Sequence, residues 1–297
     1  MAVGTTNFSE LLDPGIRSIY GLSYDNWVEE YSQYMEVLPS NQYSEYSLSI
    51  AGFGLVPVKS QGGGVNYATP GQGYKGTLTH ISYGLGFQVT YELYRFDQYG
   101  IINRLPQLLA RSVRRTRETL GANILNRAFD SSYTGADGKE LCATNHQKWA
   151  GGTWQNESTT AADLSMTSYE QALIDISDFS DDNGTPVGAR PVKLIVATEN
   201  LFTAQQIINS SQDPESAMNA INPAKGTTTI MESHFMTNTD DYFIKTDVPN
   251  GLVWYDADKP DFDKDNDFDS KNGKWKSFFI CIQGWNDPRG MWGSPGA

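Results

Sequence analysis

The sequence predicts an α+β fold. Three observations carry that prediction. A long amphipathic helix pattern covers residues 97–130, a glycine-rich and acid-free stretch over 46–91 alternates like a strand at both ends, and the second half mixes short strands with two further helices. The 297 residues suffice for a sizeable core. Hydrophobic residues at 39% and charged residues at 19% exclude whole-chain disorder.

Residues 1–45 contain one short helix, about Tyr24 to Met35. Trp27, Val28, Tyr31 and Tyr34 share a face there, and Pro39 lies beyond its end. Residues 46–91 hold no Asp or Glu, and their only full charges are Lys59 and Lys75. Alternation runs through Tyr46, Leu48 and Ile50 and again from Thr77 to Tyr83, with Gly62, Gly63 and Gly64 between. This reads as a long two-stranded hairpin with a mobile tip. Such a ribbon is marginal alone in water and needs a surface to lie on. Lacking acids, it suits an acidic one.

In the 97–130 helix, Pro106 sits early, where proline is tolerated. Ile102, Leu105, Leu109, Val113, Thr116, Leu120 and Ile124 form an apolar stripe. Arg104, Arg111, Arg114 and Arg115 fall on the opposite side. This basic stripe reads as a solvated or internally paired face, or as a contact to a neighbouring subunit or to nucleic acid. A turn-rich segment follows from Gly135 to His146. Helices are then expected over Ser168–Phe179 and Glu199–Asn209, with a buried strand at Pro191–Ala197 between them. Short strands follow at Thr227–Met231, Asp241–Lys245 and Gly251–Tyr255. Residues 257–274 read as an exposed acidic loop before a last strand, Trp275–Gln283.

The formal charge of −13 argues against a general nucleic-acid binder and leaves only a local basic face for that purpose. Apolar runs such as 278–282 fall far short of the roughly 20 residues of a membrane span. No secretory signal is visible at the N-terminus, so the sequons at Asn7, Asn156 and Asn209 carry no weight. Two cysteines, Cys142 and Cys281, exclude a disulfide framework and suit a reducing cytoplasm.

Catalytic and ligand signals are weak. Gly71, Gly73 and Gly76 match G-x-G-x-x-G, but Pro70 precedes them and an alternating strand follows. Asp261, Asp263, Asp265, Asp267 and Asp269 alternate, yet the glycine and glutamate positions of a calcium loop are Phe268 and Lys274. His80, His146 and His234 are widely separated, and Cys142 with His146 lacks a second zinc pair. No catalytic, cofactor or metal residue is therefore expected. A cysteine hydrolase using Cys142 and His146 is the enzyme alternative. A flexible hairpin and segregated charge make sense with neighbours, which points to an assembly subunit.

Several stretches then converge. Tyr91 to Gly100 precedes the long helix, which runs through Arg117 and Glu118 to Phe129. The segment Gly135 to His146, the strand Lys193–Ala197 and the ending Asp287 to Ser294 follow in order. This order resembles the Mu-type major head subunit family of tailed bacteriophages, whose members carry the Hong Kong 97-type capsid fold. The resemblance covers about 85–297 well and 1–84 loosely; Cys142 and Gln147 depart from its pattern. It implies an N-terminal arm at 1–45 and an extended loop at 46–92. It implies a peripheral domain with a spine helix at 93–154 and 275–297, and an axial domain at 155–274 that includes the acidic loop. Lys59, Gly62, Gly63, Gly64 and Lys75 would then contact a neighbouring subunit, and the arginine stripe would face the lumen or a neighbour. The implied function is a structural protein, not an enzyme. It would assemble with itself as hexamers and pentamers into an icosahedral shell. The implied partners are a separate scaffolding protein, a portal, packaged double-stranded DNA held without sequence specificity, and a decoration protein. The implied location is the virion, with assembly in the host cytoplasm. Some members of this fold crosslink a lysine to an asparagine; Lys59 and Lys75 are the candidate donors here, but the sequence identifies neither an acceptor asparagine nor a catalytic carboxylate. An encapsulin-type compartment shell is the alternative of the same fold.

Overall fold

The backbone organises around one helix in a computed structural model that describes residues 9–26, 28–96, 100–214, 220–267 and 272–297. Helix α3 (Ile101–Asn126) buries Leu109, Val113 and Ile124 in a core shared with a sheet, and Tyr31 and Tyr34 of the N-terminal segment join the same core. That sheet has the order β1-β10-β11-β4. Strands β10 (Leu252–Asn266) and β11 (Gly273–Trp285) form a long antiparallel hairpin. Strand β1 (Glu36–Pro39) adds parallel to β10, and β4 (Ile81–Val89) adds antiparallel to β11 as the far edge. Alternation drives β11: Trp275, Ser277, Phe279 and Cys281 are buried, while Lys274, Lys276 and Phe278 face out.

A second sheet has the order β12-β9-β7-β8. Its strands are β7 (Pro191–Ala197), β8 (Thr229–Ser233), β9 (Tyr242–Thr246) and β12 (Met291–Ser294). Helices α4 (Met166–Ser177) and α5 (Leu201–Asn209) supply Tyr169, Ile176, Ile207 and Ile208 to its core, against Leu194, Val196, Tyr242, Ile244 and Trp292. Ser165 and Ser168 form a capping box at the start of α4. Among the described residues, strands β2 (Ser44–Ala51) and β3 (Gly71–Thr79) pair with no other strand and form a separate ribbon; β5 (His146–Gln147) and β6 (Thr153–Trp154) form a short second pair, and helix α2 (Tyr91–Arg95) comes between β4 and α3 in the chain.

The structure corrects several expectations. The N-terminal helix is α1 (Ser9–Asp25), earlier than the aromatic spacing suggested, and Trp27 lies outside the described residues. Tyr31 opens a 3-10 turn (Tyr31–Gln33) instead of continuing a helix. The expected face is not formed, since Val28 is 76% exposed, but Tyr31, Tyr34 and Met35 are buried in the core that holds α3. Ile16, Tyr20, Tyr31, Tyr34 and Met35 thus fasten the described N-terminal segment to the chain's own core. The ribbon is shorter than expected, because at His80 the return strand leaves it and continues as β4 in the first sheet. The acidic segment is mostly strand, not loop, since Phe262 points inward and stacks on Tyr20 at 4.7 Å. It pairs with β11 and so sits with the first sheet, outside the unit to which 155–274 was assigned. Conversely, β12 belongs to the second sheet, although 275–297 was assigned to the first unit.

One buried ion pair ties these parts together. Arg117 of α3 donates to both carboxylate oxygens of Asp256 on β10, each at 2.9 Å. It also donates to the Tyr31 hydroxyl at 2.7 Å, and the Trp254 indole donates to Asp256 Oδ1 at 2.8 Å. Burial opposes the guanidinium charge, but the Asp256 hydrogen bonds outweigh it and hold the arginine more firmly protonated than usual. Next along the helix, Glu118 accepts the backbone N–H groups of Glu30 and Tyr31 at 3.1 Å. Gly121 permits the approach, since a Cβ there would lie 2.5 Å from the Tyr31 Cβ.

Asp256→Ala strands a buried guanidinium and should lower the unfolding free energy by about 3–5 kcal/mol. Joint replacement of Arg117 by Met and Asp256 by Leu should recover most of that loss in urea titrations. Burial also pushes the Glu118 carboxyl up to about 7, despite its hydrogen bonds. The folded state therefore holds this proton more tightly than the unfolded chain, and stability falls as pH rises from 4.5 towards 7. Asp241, raised to about 6 by burial, adds a slope of the same sign. Glu118→Gln should flatten the decline of urea midpoint across that range.

Candidate functional site

The surface left over by the two cores is concentrated in the ribbon. Tyr46, Leu48 and Ile50 on β2 are exposed, and beyond them lies the tip, residues 52–70. Phe53, Leu55, Val56 and Val58 are between 65% and 101% exposed, and Tyr67 is 98% exposed. So many uncovered apolar side chains on one acid-free segment mark an interaction surface. Lys59, Gly62, Gly63 and Gly64 lie at the far end of this tip, with Gly62 in the left-handed region at φ 79°. Lys75 lies apart from them on β3, its ammonium 4.7 Å from the Tyr46 ring. The root is fastened to the body. The Gly52 carbonyl accepts from Asn183 Nδ2 at 2.6 Å, and Gly71 lies under Trp149, where a Cβ would come within 2.3 Å of the indole.

The arginine stripe divides. Arg104, Arg111 and Arg115 are exposed along the outer face of α3, beside an exposed Leu108. Arg114 is not: it is 5% exposed, pairs with Glu29, donates Nε to the Tyr24 carbonyl at 3.0 Å and covers the Tyr24 ring at 4.0 Å. The N-terminal segment covers that flank, so the buried arc of α3 is wider than one stripe. What remains outside is a row of three guanidinium groups, suited to polyanionic phosphate.

On β10, Asp261, Asp263 and Asp265 share an exposed face, Asp267 approaches Lys274 at 3.7 Å, and Asp269 lies outside the described residues. Among the described residues, no group of three or more His, Cys, Asp or Glu is placed to hold a metal ion. Gly71, Gly73 and Gly76 lie within β3 and lead into another strand, so no helix N-terminus meets them. No helix among the described residues is long and apolar enough to cross a membrane.

Cys142 and His146 form no nucleophilic pair. The thiol is fully buried, and burial pushes it well above its ordinary value. His146 Nδ1 lies 2.6 Å from Asp137 Oδ2 and Nε2 lies 3.0 Å from Asn156 Oδ1, so both nitrogens are engaged and neither is left for a thiol. Asn156 Nδ2 lies 2.8–2.9 Å from the carbonyl oxygens of Leu141, Pro288 and Met291, and its two hydrogens are shared among them. The Gly135–His146 segment is therefore a brace that fastens this loop to the chain's final strand. Sequence reasoning missed Arg117, Asp256 and Asn156. A signal existed for the first: Arg117 follows Val113 by four and so borders the apolar stripe, away from the other arginines.

Residues 75–293 match the model of a family described as phage capsid protein. No curated protein sequence matches the chain. Among solved structures, the capsid of bacteriophage JBD30 is similar at a TM-score of 0.59 and 14% identity, over 71% of this chain and 91% of that one. The Mycobacterium phage Che8 structure gives 0.55 at 11% identity, over 92% and 94%. A virus-like particle from Pyrococcus furiosus gives 0.53 at 10% identity, over 95% and 98%. These likenesses identify the Hong Kong 97-type capsid fold. With both cysteines buried, the native protein should react with no thiol reagent, and two thiols per chain should appear only on unfolding in guanidinium.

Proposed function

From the premise that this chain belongs to the phage capsid protein family, we propose that it is the Mu-type major head subunit of a tailed phage. It is a structural capsid protein and not an enzyme. The observation that carries the finer reading is the ribbon: a segment fastened at its root and uncovered at its tip is an element built to be covered by another copy. In this reading β2, β3 and the tip are the extended loop. Helix α3 with the first sheet is the peripheral domain, and the second sheet with α4 and α5 is the axial domain. Subunits gather as hexamers and pentamers and close into an icosahedral shell within the virion, assembled in the host cytoplasm. Scaffolding protein, portal and decoration protein are separate partners. Arg104, Arg111 and Arg115 face the lumen and hold packaged double-stranded DNA through phosphate alone. The Pyrococcus furiosus particle supports a second reading, a compartment shell of the same fold without a packaged genome.

Negative-stain images of the purified chain should show closed shells. Deleting residues 60–74 should leave a folded, soluble subunit that forms few of them; abundant closed shells from that deletion would remove the ribbon from the assembly mechanism. Replacing Arg104, Arg111 and Arg115 by Glu should leave thermal stability unchanged and lower the DNA content per particle. Unchanged DNA content would turn that face away from the lumen.

A further inference from the structure

The second sheet carries two lysines where a sheet has least use for them. Lys193 of β7 and Lys245 of β9 are partners across the two central strands of the order β12-β9-β7-β8. The regular ladder between these strands runs from the Val196–Tyr242 pair to the Lys193–Lys245 pair, and the extra residue Val192 ends it there. Thr229 of β8 flanks Lys193 and Met291 of β12 flanks Lys245, so one row crosses all four strands with both cations at its centre. The next row on that face holds Met231, Ile195 and Phe243, which join the core shared with α3. The lysines therefore sit just past the edge of the apolar contact between the two sheets.

Like charges directly opposite on one face destabilise a sheet. The chain has 35 acidic residues to 22 basic ones, yet among the described residues neither ammonium has a carboxylate within 4 Å. Lys193 Nζ donates instead to the Gln33 carbonyl at 3.2 Å, at the end of the turn that docks on α3. Both side chains are partly buried. Burial lowers both lysines below their ordinary range, and Lys193 lowers Lys245 further, with a smaller opposing effect from Glu36. Two methionines would close this end of the apolar face with none of that repulsion. The cations make sense with an anion between them.

We infer that Lys193 and Lys245 form a binding site for a phosphate group, which sits between the two ammonium groups and accepts a hydrogen bond from each. Tetrahedral phosphate offers a separate oxygen to each lysine, and its charge cancels the repulsion across the ladder. A phosphate monoester carries nearly two negative charges at pH 7, enough for both lysines, whereas a carboxylate or a DNA phosphodiester carries one. The chemistry therefore favours inorganic phosphate or a phosphomonoester. The site does not depend on how the subunits assemble.

Equilibrium dialysis of the purified full chain against radiolabelled inorganic phosphate, at constant ionic strength, should give one saturable site per chain. Lys193→Met and Lys245→Met should each weaken binding about tenfold or more, while Lys259→Met, at an exposed position on β10, leaves it unchanged. In chloride each of the first two variants should melt at or above the wild-type temperature, because it relieves the repulsion, so lost binding is not lost folding. Phosphate at about five times its dissociation constant should raise wild-type melting by roughly 2–4 °C and leave both variants unmoved. No saturable phosphate, or binding that survives both methionine substitutions, would overturn the site. So would a wild type that melts above both variants in chloride and does not respond to phosphate, since the lysines would then be structural, held by Gln33 and Glu36. A short DNA duplex that leaves the phosphate bound supports the monoester; a duplex that displaces it would overturn that assignment and put a backbone phosphodiester in its place.

Discussion

The contact between Arg117 and Asp256 determines how this subunit is put together. It joins helix α3 to β10, and through the Tyr31 hydroxyl it also holds the N-terminal turn. Desolvation offsets much of the attraction in a buried pair, so its main effect is not a large net stabilisation. Its effect is positional. A bidentate guanidinium accepts one arrangement of its partner, and here the indole of Trp254 fixes the carboxylate from the side. Three segments far apart in sequence can then meet in only one way. Glu118 repeats the device one residue on, with backbone N–H groups as its partners.

Around that node the chain separates complete parts from incomplete ones. Each sheet has its own helices and its own buried aromatic residues. The ribbon has neither, and its apolar side chains lie in water. A subunit of this kind is stable in its body and unsatisfied in its limb. That contrast suits a protein whose contacts with copies of itself have to form late and then hold.

Much of this was legible from residue patterns. The period of α3, the alternation of β2 and the buried run of β7 follow directly from side-chain spacing. The acidic strand was misread because composition outweighed period: Asp261, Asp263 and Asp265 look like a solvated loop until Phe262 between them is seen as an inward-facing position. Arg114 was misplaced because a helix wheel shows one apolar stripe and cannot show a second covering segment. The N-terminal helix was shifted because its aromatic residues continue past its end into the turn that docks on α3. The Asn156 brace was invisible for a simpler reason. A side chain whose partners lie at 141, 288 and 291 leaves no local spacing to read.

Strand β12 comes after every other element in chain order, and it completes one edge of the second sheet. On a translating ribosome the ribbon emerges more than 200 residues before it. At ordinary synthesis rates that interval lasts about 10–40 s. Throughout it the nascent polypeptide displays its most adhesive stretch while its second sheet still lacks a strand. Neighbouring nascent chains on one message would meet through that stretch first, so the order of synthesis itself sets a kinetic hazard that a chaperone or a holding partner must cover.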